Sequence, residues 1–193
     1  MEVRLATAPS ERQAVYEFRY RIYVGLEGRT QINADHQRRQ VREPLDDHGM
    51  VFAAFDRGRV IGTLRSNLLA DGPLGNYDSL YGLDQLSAQE RQQISITTKL
   101  MVEPDRRGGA CAMRLSQLTF RLGLERGVQM DFIDSRDHTL PFFDRLGYRV
   151  LRSDLVHPEY GLATLLRLDL HDTEHLASVG SPFLSTLKEK LAA

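Results

Sequence analysis

Residues 100–113 read Leu-Met-Val-Glu-Pro-Asp-Arg-Arg-Gly-Gly-Ala-Cys-Ala-Met. A strand is predicted to end at Val102, because Pro104 interrupts it, and an amphipathic helix is predicted to follow the two glycines. Small residues let a ligand approach the backbone closely, and the first amides of a helix have no partner within the helix. The stretch therefore predicts a loop that binds an anion such as a phosphate or pyrophosphate. The alternative is an ordinary strand-loop-helix turn with two exposed arginines.

The loop lacks the Gly-Lys-Ser/Thr ending of a Walker loop and the G-x-G-x-x-G of a dinucleotide fold. From Arg107 onward it resembles the acyl-CoA-binding motif of the GNAT acyltransferase superfamily, Arg/Gln-x-x-Gly-x-Gly/Ala after Val-x-Pro, with Ala110 where the family usually has glycine. The resemblance implies an acyl-CoA or acyl-carrier-protein donor. The residues assigned to it are Leu100, Met101, Val102, Arg107, Gly108, Gly109, Ala110, Cys111, Ala112 and, from a later motif, Phe143.

Composition limits the possible classes of protein. With 193 residues, of which 41% are hydrophobic, the chain can bury a single full core, and a net charge of −1 gives no electrostatic support for nucleic-acid binding. One cysteine, Cys111, excludes an intrachain disulfide; it is read as a small packing residue rather than a thiol activated at a helix start. No apolar run is long enough to span a bilayer, and the first residues do not resemble a signal peptide. We expect a cytoplasmic protein, either a monomer or a homodimer.

The periodicity of the chain predicts the order β-α-β-β-β-α-β-α-β-β. The first helix is predicted to have Ser10 as its N-cap and to bury Val15, Phe18 and Ile22. Residues 25–49 show no period and are rich in charge, which predicts a long solvated loop rather than a metal site, despite two Asp-His neighbours. No metal is expected.

This order is the GNAT connectivity, and residues 142–148 resemble the superfamily's Phe-Tyr-x-x-x-Gly-Phe element. The resemblance implies an α/β (α+β) GNAT fold: a central, mostly antiparallel, twisted sheet of six to seven strands, helices on both faces, and a splayed strand pair at the cofactor site. We expect one acyltransferase domain over residues 1–171 and a helical tail over 172–193.

Three further segments, 18–24, 45–49 and 60–65, resemble the branch that holds the N-acyl amino acid synthases and the acyl-homoserine-lactone synthases. Those enzymes move fatty acyl groups from acyl-carrier protein or CoA to the amine of an amino-acid-like acceptor. Unlike the lactone synthases, this chain keeps a recognisable phosphate loop and has no tryptophan. The residues expected to bind the acceptor or acyl group are Arg19, Asp46, Asp47, Arg65, Thr97 and Thr98.

Acyl transfer from a thioester to an amine needs a base for the amine proton and donors for the oxyanion. Asp134, at a strand end, and Glu103, beside the loop, are the candidate bases. The alternatives are a helix cap for Asp134, a solvent-facing strand end for Glu103, and a base relayed through water. The family's usual general acid, a tyrosine, is replaced by Phe143, so the departing thiolate must leave as the anion or be protonated by another group.

Three functions remain open. The first is an N-acyltransferase that uses a medium- or long-chain acyl thioester and a small-molecule or peptide amine. The second is a small-molecule N-acetyltransferase, and the third is a non-catalytic sensor of acyl thioesters. The sequence leaves the acceptor, the chain length and the choice of CoA or carrier protein undetermined.

Overall fold

A computed structural model describes residues 1–192; Ala193, the last residue of the predicted tail, lies outside them. The strands are β1 (Glu2–Leu5), β2 (Ala34–Asp35), β3 (Gln40–Val41), β4 (Met50–Asp56), β5 (Arg59–Leu68), β6 (Ile94–Val102), β7 (Met130–Ser135), β8 (Arg149–His157) and β9 (Gly161–Asp169). The helices are α1 (Pro9–Tyr20), α2 (Tyr77–Tyr81), α3 (Ala88–Arg91), α4 (Ala110–Glu125), α5 (Leu140–Leu146), α6 (Thr173–Ser178) and α7 (Phe183–Leu191). A π-helical turn covers Arg21–Leu26, and 3-10 turns cover Pro44–Asp46, Pro104–Arg106 and Asp137–Thr139.

Seven strands form one sheet in the order β1-β4-β5-β6-β7-β9-β8, and β2 pairs with β3 in a separate hairpin. The pairs of β1 with β4, β4 with β5, β7 with β9 and β8 with β9 are antiparallel, whereas β6 and β7 are parallel. The parallel pairing is short: it joins Ile94–Ile96 to Met130–Phe132. The predicted fold class, a mostly antiparallel sheet with helices, is confirmed.

The chain divides into two compact units. The first unit comprises Met1–Ser66 and Thr98–Leu118, and the second comprises Asn67–Thr97 and the chain from Thr119 onward. Among residues 1–192, no helix combines the length and hydropathy needed to cross a bilayer.

In the first unit, α1 packs on one face of β4. The predicted stripe of Val15, Phe18 and Ile22 is buried against alternate residues of that strand, Val51 and Ala53 among them. Burying such an aliphatic or aromatic side chain contributes roughly 1.5–3 kcal/mol each, so this contact holds the helix to the sheet.

The start of α1 differs from the prediction of Ser10 as N-cap. Pro9 occupies the first turn and Ala8 is the N-cap, so Ser10 already lies inside the helix. A proline at this position costs nothing, because its missing N–H would have no partner there and its φ suits the helix. The free amides of Thr7 and Ala8 donate instead to the Glu11 carboxylate, at 3.1 and 3.3 Å.

On the other face of this unit, Gly62 of β5 contacts α4. A Cβ placed on Gly62 would lie 2.7 Å from Cys111 Sγ and 3.2 Å from Leu115 Cδ1, so only glycine permits this approach. Cys111 is buried, and its burial raises the pKa of the thiol. The cysteine is therefore a packing residue, as the sequence indicated, and not an activated thiol.

In the second unit, α5 ends at Gly147, whose φ of 107° lies in the left-handed region. A Cβ there would meet Leu176 of α6 at 2.6 Å, so this glycine also fixes how α6 packs. The tail helix α7 begins at Phe183, and this residue stacks on Phe120 with ring centroids 4.3 Å apart.

Candidate active site

The loop between β6 and α4 has the strand-loop-helix layout that the sequence predicted. A 3-10 turn starts at Pro104, Gly108 has a φ of 78°, and α4 begins at Ala110. Glycine adopts this left-handed conformation without strain. The left-handed residue is Gly108. Gly109 does not have a positive φ, but a Cβ on it would make a close contact of 3.3 Å with the Arg106 carbonyl oxygen. The first amides of α4, from Ala110 to Ala112, have no intrahelical partner and mark the positive end of a 16-residue helix.

Two arginines lie within this loop, and both side chains are about half exposed. Arg107 donates from Nε to the Val102 carbonyl at 3.3 Å and from Nη2 to Glu27 Oε1 at 3.1 Å. Arg106 pairs with Asp56 at 3.0 Å. Exposed ion pairs of this kind contribute about 0–1 kcal/mol, so a phosphate can displace the carboxylates at little cost.

Four residues that the sequence assigned to substrate binding meet in the first unit as part of a buried ion network. Asp46 accepts from Arg19 Nη1 at 2.8 Å with both carboxylate oxygens and from Arg65 Nη1 at 3.3 Å. Arg65 Nε donates to Thr98 Oγ1 at 3.1 Å. Arg19, Asp46 and Arg65 have no exposed side-chain area. The predicted solvated loop over residues 25–49 is therefore wrong for its last part, which carries a fully buried carboxylate.

Sequence reasoning missed two members of this network. Glu43 pairs with Arg65 Nη1 at 2.8 Å and with Lys99 Nζ at 2.5 Å. Lys99 was not predicted to belong to the site, because strict alternation places it on the strand face opposite Thr98. Its φ of 56° breaks that alternation, so both neighbours reach the same network. A left-handed non-glycine residue in a strand costs about 1–3 kcal/mol and is typical of functional sites.

The network favours ionised carboxylates. Burial alone raises a carboxyl pKa, but Arg19 and Arg65 outweigh it and lower the pKa of Asp46. Lys99 and Arg65 likewise lower the pKa of Glu43. The described ion pairs join Arg19, Arg65 and Lys99 to Glu43 and Asp46, and among residues 1–192 Arg19 Nε and Nη2 find no hydrogen-bond partner. Asp47, in contrast, is exposed and pairs with Arg42 outside the network.

Glu103 lies at the end of β6 in a cluster of arginines. Both of its carboxylate oxygens accept from Arg21, one at 2.7 Å, and Arg59 approaches at 3.1 Å. The hydrogen bond from Arg21 lowers the pKa of Glu103. A carboxylate held in this way is a weaker base than a free one, and it is not the solvent-facing strand end of the alternative interpretation.

Another buried carboxylate, Asp131 of β7, lies in the second unit and was also missed. It accepts from Ser95 Oγ at 2.5 Å, Thr97 Oγ1 at 3.0 Å and Tyr148 Oη at 2.6 Å. Burial raises the pKa of Asp131 to about 6, although the three hydrogen bonds act to lower it. Thr97, predicted to bind substrate, is thus engaged with Asp131. The signal in the sequence was an aspartate inside an apolar strand, beside a strand whose Ser95 and Thr97 share a face.

Asp134, the other candidate base, lies near the end of β7 with its side chain 8% exposed. His157 Nε2 is 3.7 Å from Asp134 Oδ2. Arg136 is the N-cap of the turn that follows, where Ser135 Oγ and Thr139 Oγ1 bond the Arg136 carbonyl and each other.

Phe143, in the position of the family's tyrosine, is buried in the second unit. Its ring makes T-shaped contacts with Phe142 and Tyr148, at centroid distances of 5.3 and 5.6 Å. The nearby hydroxyl is that of Tyr148, and burial together with Asp131 raises its pKa well above the usual value. It is a poor proton donor for a departing thiolate.

In the described part of the chain, no group of three or more His, Cys, Asp or Glu side chains is arranged to hold a metal ion. The chemistry that these side chains offer is proton transfer and anion binding.

Residues 14–169 match the family model described as N-acyl amino acid synthase FeeM. A search of curated proteins found no match. Among solved structures, FeeM, an N-acyl amino acid synthase from uncultured soil microbes, superposes with a TM-score of 0.71 at 17% identity, over 92% of this chain and 95% of that one.

The AHL synthase LasI superposes with a TM-score of 0.71 at 15% identity, over 93% of this chain and 95% of that one. BjaI, a CoA-dependent acyl-homoserine lactone synthase solved with SAM and isopentyl-CoA, gives 0.64 at 17%, over 93% and 89%. At these identities the superpositions establish a GNAT-like fold, and the family model, which covers most of the chain, establishes the family. The chain belongs to the N-acyl amino acid synthase FeeM family and is an acyltransferase.

Proposed function

We propose that the protein transfers a medium- or long-chain fatty acyl group from acyl-CoA or acyl-carrier protein to the primary amine of an amino acid, a peptide or a related small molecule. The family match over residues 14–169 supports an enzyme rather than a non-catalytic sensor. In this proposal one catalytic domain covers residues 1–171 and carries the helical tail.

The donor is assigned to the loop at the start of α4. Its pyrophosphate accepts from the amides between Gly108 and Ala112, where the helix dipole favours negative charge, and Arg107 turns from Glu27 to the phosphate. The backbone of Leu100–Val102 holds the pantetheine arm and polarises the thioester carbonyl. We also assign Phe143, in the position of the family's tyrosine, to the donor.

The observation that carries the acceptor assignment is the group of cations in the buried network. An amino acid brings a carboxylate, and Arg19, Arg65 and Lys99 supply positive charge that favours its binding. Lys99 is the outermost cation, with 4% of its side chain exposed and its Nζ 5.2 Å from the centre of the Tyr23 ring. We assign the acceptor carboxylate to this end of the network.

In the reaction, the neutral amine attacks the thioester carbonyl, a C–N bond forms, and the C–S bond breaks. We assign the amine proton to Asp134, because Glu103 is held as an ion pair by Arg21 and has a lowered pKa. The sulfur leaves as the thiolate and takes its proton from solvent, since Phe143 has no hydroxyl and Tyr148 is a poor acid.

The test pairs each amino acid acceptor with its decarboxylated amine. Lys99→Met removes one cation, so kcat/KM for the amino acid should fall about tenfold or more, the value of a charged hydrogen bond, while that for the amine stays unchanged. Arg42→Met is the matched control, because it removes a cation that pairs only at the exposed surface with Asp47. Equal losses for amino acid and amine would contradict the assignment.

A further inference from the structure

Asp134 is surrounded in the second unit by side chains to which no role has been assigned. They come from α2, from the end of β8 and from the turn after β8: Tyr77, Tyr81, His157 and Tyr160. His157 is 4% exposed and its Nε2 lies 3.7 Å from Asp134 Oδ2. At that distance the contact is electrostatic rather than a hydrogen bond, and such contacts between catalytic groups tighten when substrate binds.

The backbone fixes the tautomer of this histidine. The amide of Glu159 donates to His157 Nδ1 at 3.1 Å, so Nδ1 is an acceptor. A neutral imidazole then carries its proton on Nε2, the nitrogen that faces the Asp134 carboxylate.

Stacking fixes the orientation of the same ring. Tyr160 lies parallel to His157, at a centroid distance of 3.9 Å and an angle of 11°, and Tyr77 packs at 5.9 Å. Arg136 lies 5.9 Å from the Tyr160 ring. The imidazole is held both by its faces and by Nδ1, so Nε2 stays directed at the carboxylate.

Tyr81 completes the surroundings of the carboxylate. Burial, and then the Asp134 charge, raise the pKa of Tyr81 well above its usual value, so its hydroxyl stays protonated near the carboxylate. Asp134 therefore has a fixed N–H on one side and a neutral hydroxyl nearby.

We propose that His157 is a positioning residue: it orients the Asp134 carboxylate to take the amine proton. The proposal rests on the proposed function, in which Asp134 is the base. It assigns His157 no contact with substrate. Its effect on the rate must therefore disappear when Asp134 is removed.

Two substitutions separate the N–H from the ring. His157→Phe keeps the stack on Tyr160 but has no N–H, whereas His157→Gln has an N–H but no ring. We expect His157→Phe to lower kcat about 10- to 100-fold with KM for both substrates unchanged, as outer-shell partners of functional groups typically do, and His157→Gln to keep more activity. If the ring served only packing, His157→Phe would keep full activity and His157→Gln would lose the most.

The double variant decides whether His157 acts through Asp134. Once Asp134→Asn has been introduced, His157→Phe should cause no further loss of kcat. Independent losses that multiply would overturn the proposal.

A measurement without turnover separates this proposal from the proposed function. In NMR titrations, Asp134→Asn should move the titration of the His157 ring to lower pH by about one unit, because a nearby carboxylate favours the imidazolium. His175, whose Nε2 contacts the Gly147 carbonyl instead, is the internal control and should not move. An unchanged His157 titration overturns the pairing; a shifted titration in an enzyme with no acyl transfer would refute the proposed function alone.

Discussion

Replacing Asp131 by asparagine should change how stability depends on pH. The folded-state pKa of about 6 lies above the ordinary value of 3.8, a difference of about two units, and each unit corresponds to about 1.4 kcal/mol. Below pH 4 the carboxyl is protonated in both states and burial costs nothing. Between pH 4 and 6 only the folded state keeps the proton, so stability falls as pH rises. Above pH 6 the ionised group costs about 3 kcal/mol.

Asparagine avoids this cost and keeps the contacts. Its carbonyl can accept from Ser95 and Thr97, and its amide can donate to the Tyr148 hydroxyl. The difference in unfolding free energy between Asp131→Asn and wild type should therefore grow by about 3 kcal/mol from pH 4 to pH 7, or about 6–12 °C in Tm for a chain of this size. Calorimetry at several pH values measures it.

Asp154→Asn is the control for this experiment, because it removes a carboxylate that is 80% exposed. Its difference from wild type should not vary with pH in this way. A difference for Asp131→Asn that is flat with pH, or that shrinks as pH rises, would refute the reasoning about burial.

Three other experiments test the first unit. Asp46→Ala leaves two buried guanidinium groups without their shared carboxylate and should lower the free energy of unfolding by about 3–5 kcal/mol, measured in urea; a loss below 1 kcal/mol would show that the network is solvated. Gly108→Ala and Gly58→Ala strain backbones of nearly equal φ, 78° and 77°, so both should lose about 1 kcal/mol, but calorimetry should show weaker CoA binding only for Gly108→Ala. Gly62→Ala should lose about 1–3 kcal/mol by overpacking, and Cys111→Ala in the same chain should restore part of it; no restoration would exclude the sulfur as the obstacle.

The sequence predicted the fold well where the determinants are local. The spacing of Val15, Phe18 and Ile22 predicted the buried face of α1, which the structure confirms. The N-cap was misplaced, because Pro9 begins the helix before Ser10.

The candidate site was predictable only in part, because its partners are distant in sequence. Arg19, Asp46 and Arg65 were expected at a substrate site and do meet, but they do so as a buried network completed by Glu43 and Lys99. No local period reveals the left-handed Lys99.

The second unit illustrates the same limit. His157 lies 23 positions after Asp134, in a strand whose apolar pattern ends early, so nothing in the sequence connected the two. Their pairing depends on the neighbouring strands and on the turn at Glu159 that fixes the imidazole. A residue pattern cannot supply that geometry.

The central claim is transfer of a fatty acyl chain to an amine, and the dependence on donor length tests it most directly. A buried chain gains about 0.8 kcal/mol per methylene, so the six methylenes between acetyl and octanoyl offer about 5 kcal/mol before the cost of ordering the chain.

The measurement is kcat/KM for CoA thioesters from acetyl to octanoyl with one amino acid acceptor, following the N-acyl product by mass spectrometry. The account predicts that kcat/KM rises with chain length to at least octanoyl. If acetyl-CoA is the best donor, the fatty-acyl assignment is contradicted and the protein is a small-molecule N-acetyltransferase.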